Sequence, residues 1–378
     1  MQFQWKAGLI ALAVVAGAGN ARADITIGVT LPLTGPASGL GIPMNNGFKL
    51  WPETIAGEKV KLVVLDDATD PTKGVQNARR FVEDKVDLIV GSGATPVAIP
   101  IADVASEAKI VQIAMSPAPV PAGRDAWTFR MPPSNGVMAQ AVVEHMRKHG
   151  VKTVGFLGYT DAYGESWLAE THARLEKAGL RLVASERFAR SDASVTSQAL
   201  KLTAAAPDAI VVVASGSGAA MPQLALVERG YKGRIYQTHA AATRDLIRVG
   251  GKGVEGALVS AGPPIVAEQL PDGHPSKAVA QRFVQLYEKQ FGAGSRNTLA
   301  GHSYDLYLLL EQVLPVAKQK ARPGTPEFRA ALKEAIENAK PVVVSNGVVQ
   351  YTATDHWGYR PDAGVVMKVA GGDWKLEP

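Results

Sequence analysis

The sequence contains no cysteine, and this absence excludes several kinds of chemistry at once. Without thiols the chain can form no disulfide, bind no metal through thiolates, use no thiol nucleophile and carry no lipid on a cysteine. Long apolar runs are also missing after residue 23, since stretches such as "AIVVVA" at 209–214 are only strand-sized. We therefore expect no membrane insertion of the mature chain.

The first 23 residues have the pattern of a secretory signal peptide. A short positive end, "MQFQWK", precedes the apolar "AGLIALAVVAGAG", and "ARA" offers small residues for cleavage after Ala23. Loss of Lys6 and Arg22 with this segment lowers the formal net charge of +5 by two. The remaining basic residues are scattered rather than gathered on one stripe, so nucleic acid is not an expected partner. The pattern predicts an exported, periplasmic protein.

Two successive α/β units account for most of the mature chain. Apolar runs such as "VKLVVLD" and "VDLIVG" alternate with helical patterns before residue 116, and the same alternation resumes from "TVGFLGY" at 153 to "GALVSAG" at 262. Continuous apolar strands separated by helices are typical of parallel sheets covered on both faces. We predict two doubly wound α/β lobes.

The last hundred residues follow a different pattern. Three helical stretches begin near Ser276, and two hairpins follow, "VVVSNGVVQYT" and "GVVMKVAGGDWKL". Too few strands remain for a third sheet. The expected packing returns the late helices to the first lobe and the final strands to the second.

Ligands of open parallel sheets collect beyond the carboxyl ends of the strands, and candidate contacts follow from this rule. In "GSGATPVAIP", Thr95 before Pro96 has the form of a helix N-cap whose free N–H groups suit a carboxylate. The next strand end, "IAMSPAPV", offers Ser116 and the backbone of Ala118. Capping alone would equally explain Thr95.

Other motifs give weaker indications. "GSGAAM" at 216–221 lacks the third glycine of a dinucleotide fingerprint, so we interpret it as a small-residue loop that brings Ser217 to the cleft. His145 and His149 have the spacing of a helical zinc pair, but the glutamate of the zinc-protease motif is absent, and we predict no metal there. "DDATDP" lacks the glycine and glutamate of a calcium loop, so Asp70 is predicted to cap the helix that starts at Pro71. No "GxSxG" elbow occurs, and the sequence indicates neither catalysis nor a cofactor.

Taken together, these segments resemble a known family. "ITIGVTLPLTGPASGLGIPMNNGFKL", "LDDATDP", "VGSGATPVAIPIADVASEAKIVQIAMSPA" and "YTDAYGESWLAE" are similar to the periplasmic leucine/isoleucine/valine-binding proteins, the type I solute receptors of ABC importers. The resemblance continues through "ERGYKGRIYQTHAAAT" and "VGGKGVEGALVSAGP" and so covers nearly the whole mature chain. It implies two lobes joined by three crossings that close on a solute. The implied ranges are 24–133 with 264–345 for the first lobe, and 134–263 with 346–378 for the second.

The resemblance also implies roles for individual residues. Thr95 matches the hydroxyl that binds the solute carboxylate, Ala118 a backbone contact, and Tyr163 a tyrosine of the second lobe that faces the solute. Leu40 matches a side chain at the pocket mouth. Leu40 could equally be ordinary loop packing, and Tyr163 could simply cover the start of a helix.

Two positions differ from the amino-acid-binding members. His239 stands where those members place an acidic residue that neutralises the ligand ammonium, and Val120 stands in place of a threonine that assists it. An unpaired buried ammonium costs several kcal/mol, whereas a histidine can donate to a keto or hydroxyl oxygen. A structural role for His239 at the strand end is the alternative.

These observations predict a monomeric periplasmic receptor, not an enzyme. It would bind a small organic acid, aromatic or 2-keto in type and lacking an α-ammonium, and deliver it to an inner-membrane ABC permease. An amino-acid receptor of the usual family kind and an exported α/β enzyme using the same cleft are the two alternatives.

Overall fold

A computed structural model describes residues 25–377 of the chain. The signal-peptide prediction for residues 1–23 lies outside this range. Among the described residues, no helix has the length and apolar character needed to cross a membrane.

The described chain alternates strands and helices in the predicted manner. The strands are β1 (Ile25–Leu31), β2 (Thr54–Ile55), β3 (Glu58–Asp66), β4 (Leu88–Val90), β5 (Val111–Ala114), β6 (Thr128–Arg130), β7 (Thr153–Tyr159), β8 (Arg181–Phe188), β9 (Ala209–Val213), β10 (Arg234–Gln237), β11 (Leu258–Ala261), β12 (Val342–Val344), β13 (Gly347–Val349), β14 (Val365–Ala370) and β15 (Asp373–Glu377). The helices are α1 (Ser38–Phe48), α2 (Pro71–Glu83), α3 (Thr95–Ala108), α4 (Asn135–Lys148), α5 (Ala162–Ala178), α6 (Thr196–Ala204), α7 (Ala220–Glu228), α8 (Arg244–Gly250), α9 (Lys277–Phe291), α10 (Thr298–Lys320) and α11 (Pro326–Glu337).

Two mainly parallel sheets organise these elements. The first has the order β2-β3-β1-β4-β5-β6, and the second has the order β15-β14-β11-β10-β9-β7-β8. Every residue of β4 and of β9 is buried, as the continuous apolar runs require when helices cover both faces. The predicted class of two doubly wound α/β lobes is confirmed.

Local signals in the sequence set several element boundaries. Asp70 accepts the N–H groups of Thr72 and Lys73, so its predicted role as the cap of α2 is confirmed. Gly179 ends α5 with a φ of 71°, a conformation that favours glycine.

Both predicted hairpins form. β12 pairs with β13 around Ser345 and Asn346. β14 pairs with β15 around Gly371 and Gly372, whose φ values of 64° and 74° suit a tight two-residue turn. β14 also pairs antiparallel with β11, so the final strands extend the second sheet as predicted.

The late helices pack on the first sheet's side of the molecule. The Ser303 hydroxyl of α10 donates to the carbonyl of Met44 at 2.8 Å, and Trp51 Nε1 donates to the carbonyl of Ser303 at 2.9 Å. Lys318 also forms an ion pair with Glu58 at 2.6 Å. These contacts fasten α10 to α1 and β3.

The chain passes between the two sheets three times among the described residues. The Tyr351 hydroxyl donates to the carbonyl of Arg130 at 2.7 Å, which ties the segment after the β12–β13 hairpin to the first sheet. The predicted boundary at 345/346 would divide the two paired strands of this hairpin. We therefore propose that the final crossing follows the hairpin, with lobes of residues 25–133 with 264–349 and of residues 134–263 with 350–377.

Candidate functional site

A cavity with about 20 Å³ of solvent-accessible volume lies between the two sheets, beyond the carboxyl ends of their strands. Its walls come from both sheets and from α10. The lining residues are Leu40, Met44, Gly93, Ala94, Thr95, Met115, Ser116, Pro117, Pro132, Tyr163, Arg190, Ser215, His239, Ala240, Leu299 and His302. Thr95 on the first side is 2% exposed and His239 on the second side is 4% exposed, so both walls of this space are shielded from solvent.

Five of the seven predicted site residues meet at this cavity. They are Leu40, Thr95, Ser116, Tyr163 and His239. Because they come from separate parts of the chain, only the tertiary structure brings them together.

Thr95 begins α3 with its side chain buried at the cavity wall. The prediction that Thr95 is the N-cap is wrong by one residue, because Ala94 holds that position and no side-chain cap bond forms. The preceding loop is held instead by Ser92, whose hydroxyl accepts the N–H of Ala94 and donates to Asp67. Capping therefore does not explain the Thr95 hydroxyl, which remains available at the end of the helix where N–H groups and the dipole favour an anion.

Ser116 supplies a second hydroxyl on the same side. Its Oγ is buried and has no hydrogen-bond partner among residues 25–377. Burial of an unpaired hydroxyl is costly, which is a reason to expect a polar ligand atom there.

Tyr163 lies in the cavity wall on the side of the second sheet. Its backbone N–H is accepted by the N-cap Asp161, and its hydroxyl donates to Thr238 Oγ1 at 2.8 Å. Burial raises the pKa of Tyr163, so the phenol stays neutral and its oxygen can still accept a hydrogen bond.

His239 lies two positions after β10 and near two aromatic rings. Its ring centroid is 6.1 Å from that of Tyr163 and 5.9 Å from that of Trp167. Burial lowers the pKa of His239 to about 4, so the imidazole is neutral at pH 7 and presents one donor and one acceptor. Its Nδ1 has no partner within the described chain.

His302 is a cavity residue that sequence reasoning missed. It lies on α10, is 2% exposed, and its Nδ1 also lacks a partner among the described residues. Burial, with a further contribution from nearby His239, lowers the pKa of His302 to about 3. Sequence reasoning assigned α10 to packing, and nothing in its helical pattern separates this histidine from a core residue.

Arg190 is the second missed residue, and it lies two positions after β8. Its guanidinium is paired with Asp161, donates to Ser215 Oγ at 2.9 Å, and stacks 4.0 Å from the ring centroid of Tyr159. Because strand ends line the cleft, inspection of the residues after β8 would have identified Arg190 from the sequence.

The cavity wall offers hydrogen-bond donors to an anion but no acidic partner to a cation. Among the lining residues there is no aspartate or glutamate, whereas one guanidinium, two imidazoles and several hydroxyls are present. Asp161, the nearest acidic partner, is held by Arg190. A ligand ammonium would find no unpaired carboxylate in this wall.

Two predicted contacts do not reach the cavity. Ala118 is buried, with its N–H bonded to the carbonyl of Ser116 and its own carbonyl accepting from Arg130 Nε. Ser217 is exposed and faces an outer groove, while Ser215 takes the place in the cavity wall. Val120, part of the argument against an ammonium, packs beside Ala118 rather than lining the cavity.

Comparisons with known proteins agree with this architecture. The family described as "Periplasmic binding protein" matches residues 24–373. A curated relative, Leu/Ile/Val-binding protein homolog 3 of Brucella melitensis, is 25% identical over 355 residues, which cover 90% of this chain and 91% of the relative.

Solved structures are similar over the same span. An extracellular ligand-binding receptor from Rhodopseudomonas palustris is 46% identical with a TM-score of 0.91, covering 94% of this chain and 99% of its own. A second such receptor, from Rhodopseudomonas palustris HaA2, is 44% identical with a TM-score of 0.92, covering 94% of this chain and 100% of its own.

Proposed function

This chain belongs to the periplasmic binding protein family, of the Leu/Ile/Val-binding type, and we propose that its ligand is a small organic carboxylate without an α-ammonium. The protein is a solute-binding protein of the ABC-transporter type. The proposed receptor works in the periplasm after removal of residues 1–23 and delivers its solute to an inner-membrane permease.

The absence of a carboxylate from the lining residues is the observation that supports this ligand class. Amino acids carry an ammonium whose desolvation costs several kcal/mol unless an anion pairs with it. A carboxylate, by contrast, suits the Thr95 and Ser116 hydroxyls and the first turn of α3.

Neutral imidazoles suit the keto or hydroxyl group next to the ligand carboxylate. His239 and His302 can each donate to a keto or hydroxyl oxygen while remaining uncharged. Leu40, Met44 and Leu299 offer apolar surface for an aromatic or branched body.

Ligands of both classes occur in proteins of this fold, so the fold alone does not decide between them. A solute binding protein from Rhodopseudomonas palustris was solved in complex with benzoate, and it is 18% identical to this chain. A Pseudomonas aeruginosa relative named "Amino acid binding protein" is 29% identical over 297 residues. The name of this second relative is the reason to retain an amino acid as the alternative ligand.

Paired ligands test the proposal directly. Phenylpyruvate should bind at least about a hundredfold more tightly than phenylalanine, and 4-methyl-2-oxopentanoate more tightly than leucine by a similar factor. Each pair shares its apolar body, so the hydrophobic contribution largely cancels and the unpaired amine costs about 2 to 3 kcal/mol. Isothermal calorimetry on protein refolded free of bound solute measures both members. Tighter binding of the amino acids would refute the assignment, and turnover of any ligand would favour the enzyme alternative.

A substitution at Thr95 tests the carboxylate end. Thr95→Val keeps the shape of the side chain but removes one charge-assisted hydrogen bond, so affinity for phenylpyruvate should fall by about 1.5 to 3 kcal/mol. Thr196→Val is the matched control, because Thr196 also begins a helix but lies outside the cavity. If calorimetry gives the two variants equal affinities for phenylpyruvate, Thr95 does not contact the ligand.

A further inference from the structure

A second group of ligand-type side chains lies apart from the interlobe cavity, where α4 packs against the second sheet. His145 and His149 are one helical turn apart on α4, and Glu377 ends β15. One potential ligand atom from each lies within 4.8 Å of the other two. None of the three lines the interlobe cavity.

The hydrogen bond of His149 fixes which of its nitrogens can bind a metal. Its Nδ1 lies 2.8 Å from the backbone carbonyl oxygen of His145. Because a carbonyl oxygen only accepts, this Nδ1 must carry the proton, and Nε2 keeps its lone pair. Donation of the second ring N–H to a backbone carbonyl is the arrangement that metal-binding histidines usually have.

His145 presents an unused nitrogen to the same place. Its Nδ1 is 2.9 Å from the Tyr236 hydroxyl, which can accept the Nδ1 proton. Its Nε2 is buried without a hydrogen-bond partner among residues 25–377, although it lies 3.8 Å from Glu377 Oε2. The His145 side chain is 3% exposed, so burying this nitrogen without a hydrogen-bond or metal partner costs free energy.

Glu377 is the anionic member of this cluster. Lys368 pairs with Oε1 and holds the carboxylate in place, which leaves Oε2 facing His145. Lys148 and Arg234 add positive charge nearby, which opposes any divalent cation, so an ion would be retained only through strong coordination by the imidazoles.

We propose that His145, His149 and Glu377 form a binding site for a zinc-type transition-metal ion. Two imidazole nitrogens and one carboxylate oxygen are a donor set that Zn²⁺ prefers, with water as a fourth ligand. Tetrahedral ligand atoms about 2.1 Å from the metal are about 3.4 Å from one another. The two imidazole rings are stacked with their centroids 4.0 Å apart and their planes at 22°, so the His149 ring must turn out of this stack before both Nε2 lone pairs point at one ion. The helical histidine pair lacked a nearby glutamate in sequence, and the fold provides one from the far end of the chain. A groove lined by His145 and Glu377 gives access to the site.

Metal titration of tag-free protein tests this site. Wild type should take one equivalent of Zn²⁺ in competition with a chromogenic chelator, and Co²⁺ should give the visible absorption of a tetrahedral site. His149→Ala and Glu377→Gln should each weaken Zn²⁺ binding about tenfold or more. His172→Ala is the matched control, because His172 and Glu176 form an exposed i,i+4 pair on α5 with no third ligand among residues 25–377. Its affinity should equal that of wild type.

Two results would overturn the proposal. The first is absence of Zn²⁺ binding by wild type at concentrations up to about 100 µM, well above the range expected of a three-ligand site. The second is undiminished binding in both His149→Ala and Glu377→Gln with folding verified by circular dichroism, which would place the ion outside this cluster. The site is independent of the solute, so neither result bears on the proposed ligand class.

Discussion

His239→Glu is expected to abolish high-affinity binding of phenylpyruvate and to narrow or reverse the preference over phenylalanine. A buried glutamate beside a ligand carboxylate opposes it with a like charge, whereas it pairs with an α-ammonium. The loss for the acid should exceed about 3 kcal/mol, which is more than a hundredfold in dissociation constant. Calorimetry with both ligands on wild type and variant measures the change.

His239→Gln is the matched control for this charge substitution. Glutamine has nearly the size of glutamate and keeps a hydrogen-bond donor without adding charge. This variant should retain the preference for the acid with a moderate loss of affinity. If the glutamate and glutamine variants bind phenylpyruvate equally well, His239 does not face the ligand, and its role is structural.

Asp305→Ala is expected to lower the free energy of unfolding by about 3 to 5 kcal/mol, because it leaves several buried N–H donors without an acceptor. Asp305 of α10 is fully buried and accepts the N–H groups of Ser345 and Asn346 at 2.7 and 3.1 Å. It also accepts Asn346 Nδ2 at 2.8 Å. Burial raises the pKa of Asp305 to about 6, so the carboxyl is ionised at pH 7 and accepts all three of these hydrogen bonds.

Urea unfolding followed by circular dichroism measures this loss. Asp245→Ala is a control on an exposed helical aspartate that pairs with Arg248 at 2.8 Å, and such pairs contribute little. Its stability should change by less than about 1 kcal/mol. A similarly small change for Asp305→Ala would mean that the β12–β13 turn does not depend on this carboxylate.

The elements that the sequence predicted best are those governed by neighbours along the chain. The buried runs of β4 and β9 predicted central parallel strands because such strands are apolar on both faces. Asp70 before Pro71 predicted a helix start for the same local reason, since a cap bonds N–H groups two and three residues away.

Thr95 illustrates where local reasoning failed. Its position before Pro96 has the form of a cap, yet the loop is fixed by Ser92 and Asp67, and Asp67 lies 28 residues earlier in the chain. A hydrogen bond between distant segments leaves no pattern in either segment. The helix therefore begins one residue earlier than the cap signal indicated.

The sequence by itself determined the class of fold, two doubly wound lobes, and most of the strand ends at which a ligand could bind. Periodicity, caps and turns act over a few residues, and that range is sufficient to define strands, helices and hairpins. Only the tertiary structure decided which of those strand ends together line the interlobe cavity. It brought His302 from α10 to His239, gave Arg190 the partner Asp161, excluded Ser217, and placed Glu377 beside His145. Such pairings follow from packing between segments far apart in sequence, because burial and charge neutralisation depend on three-dimensional neighbours.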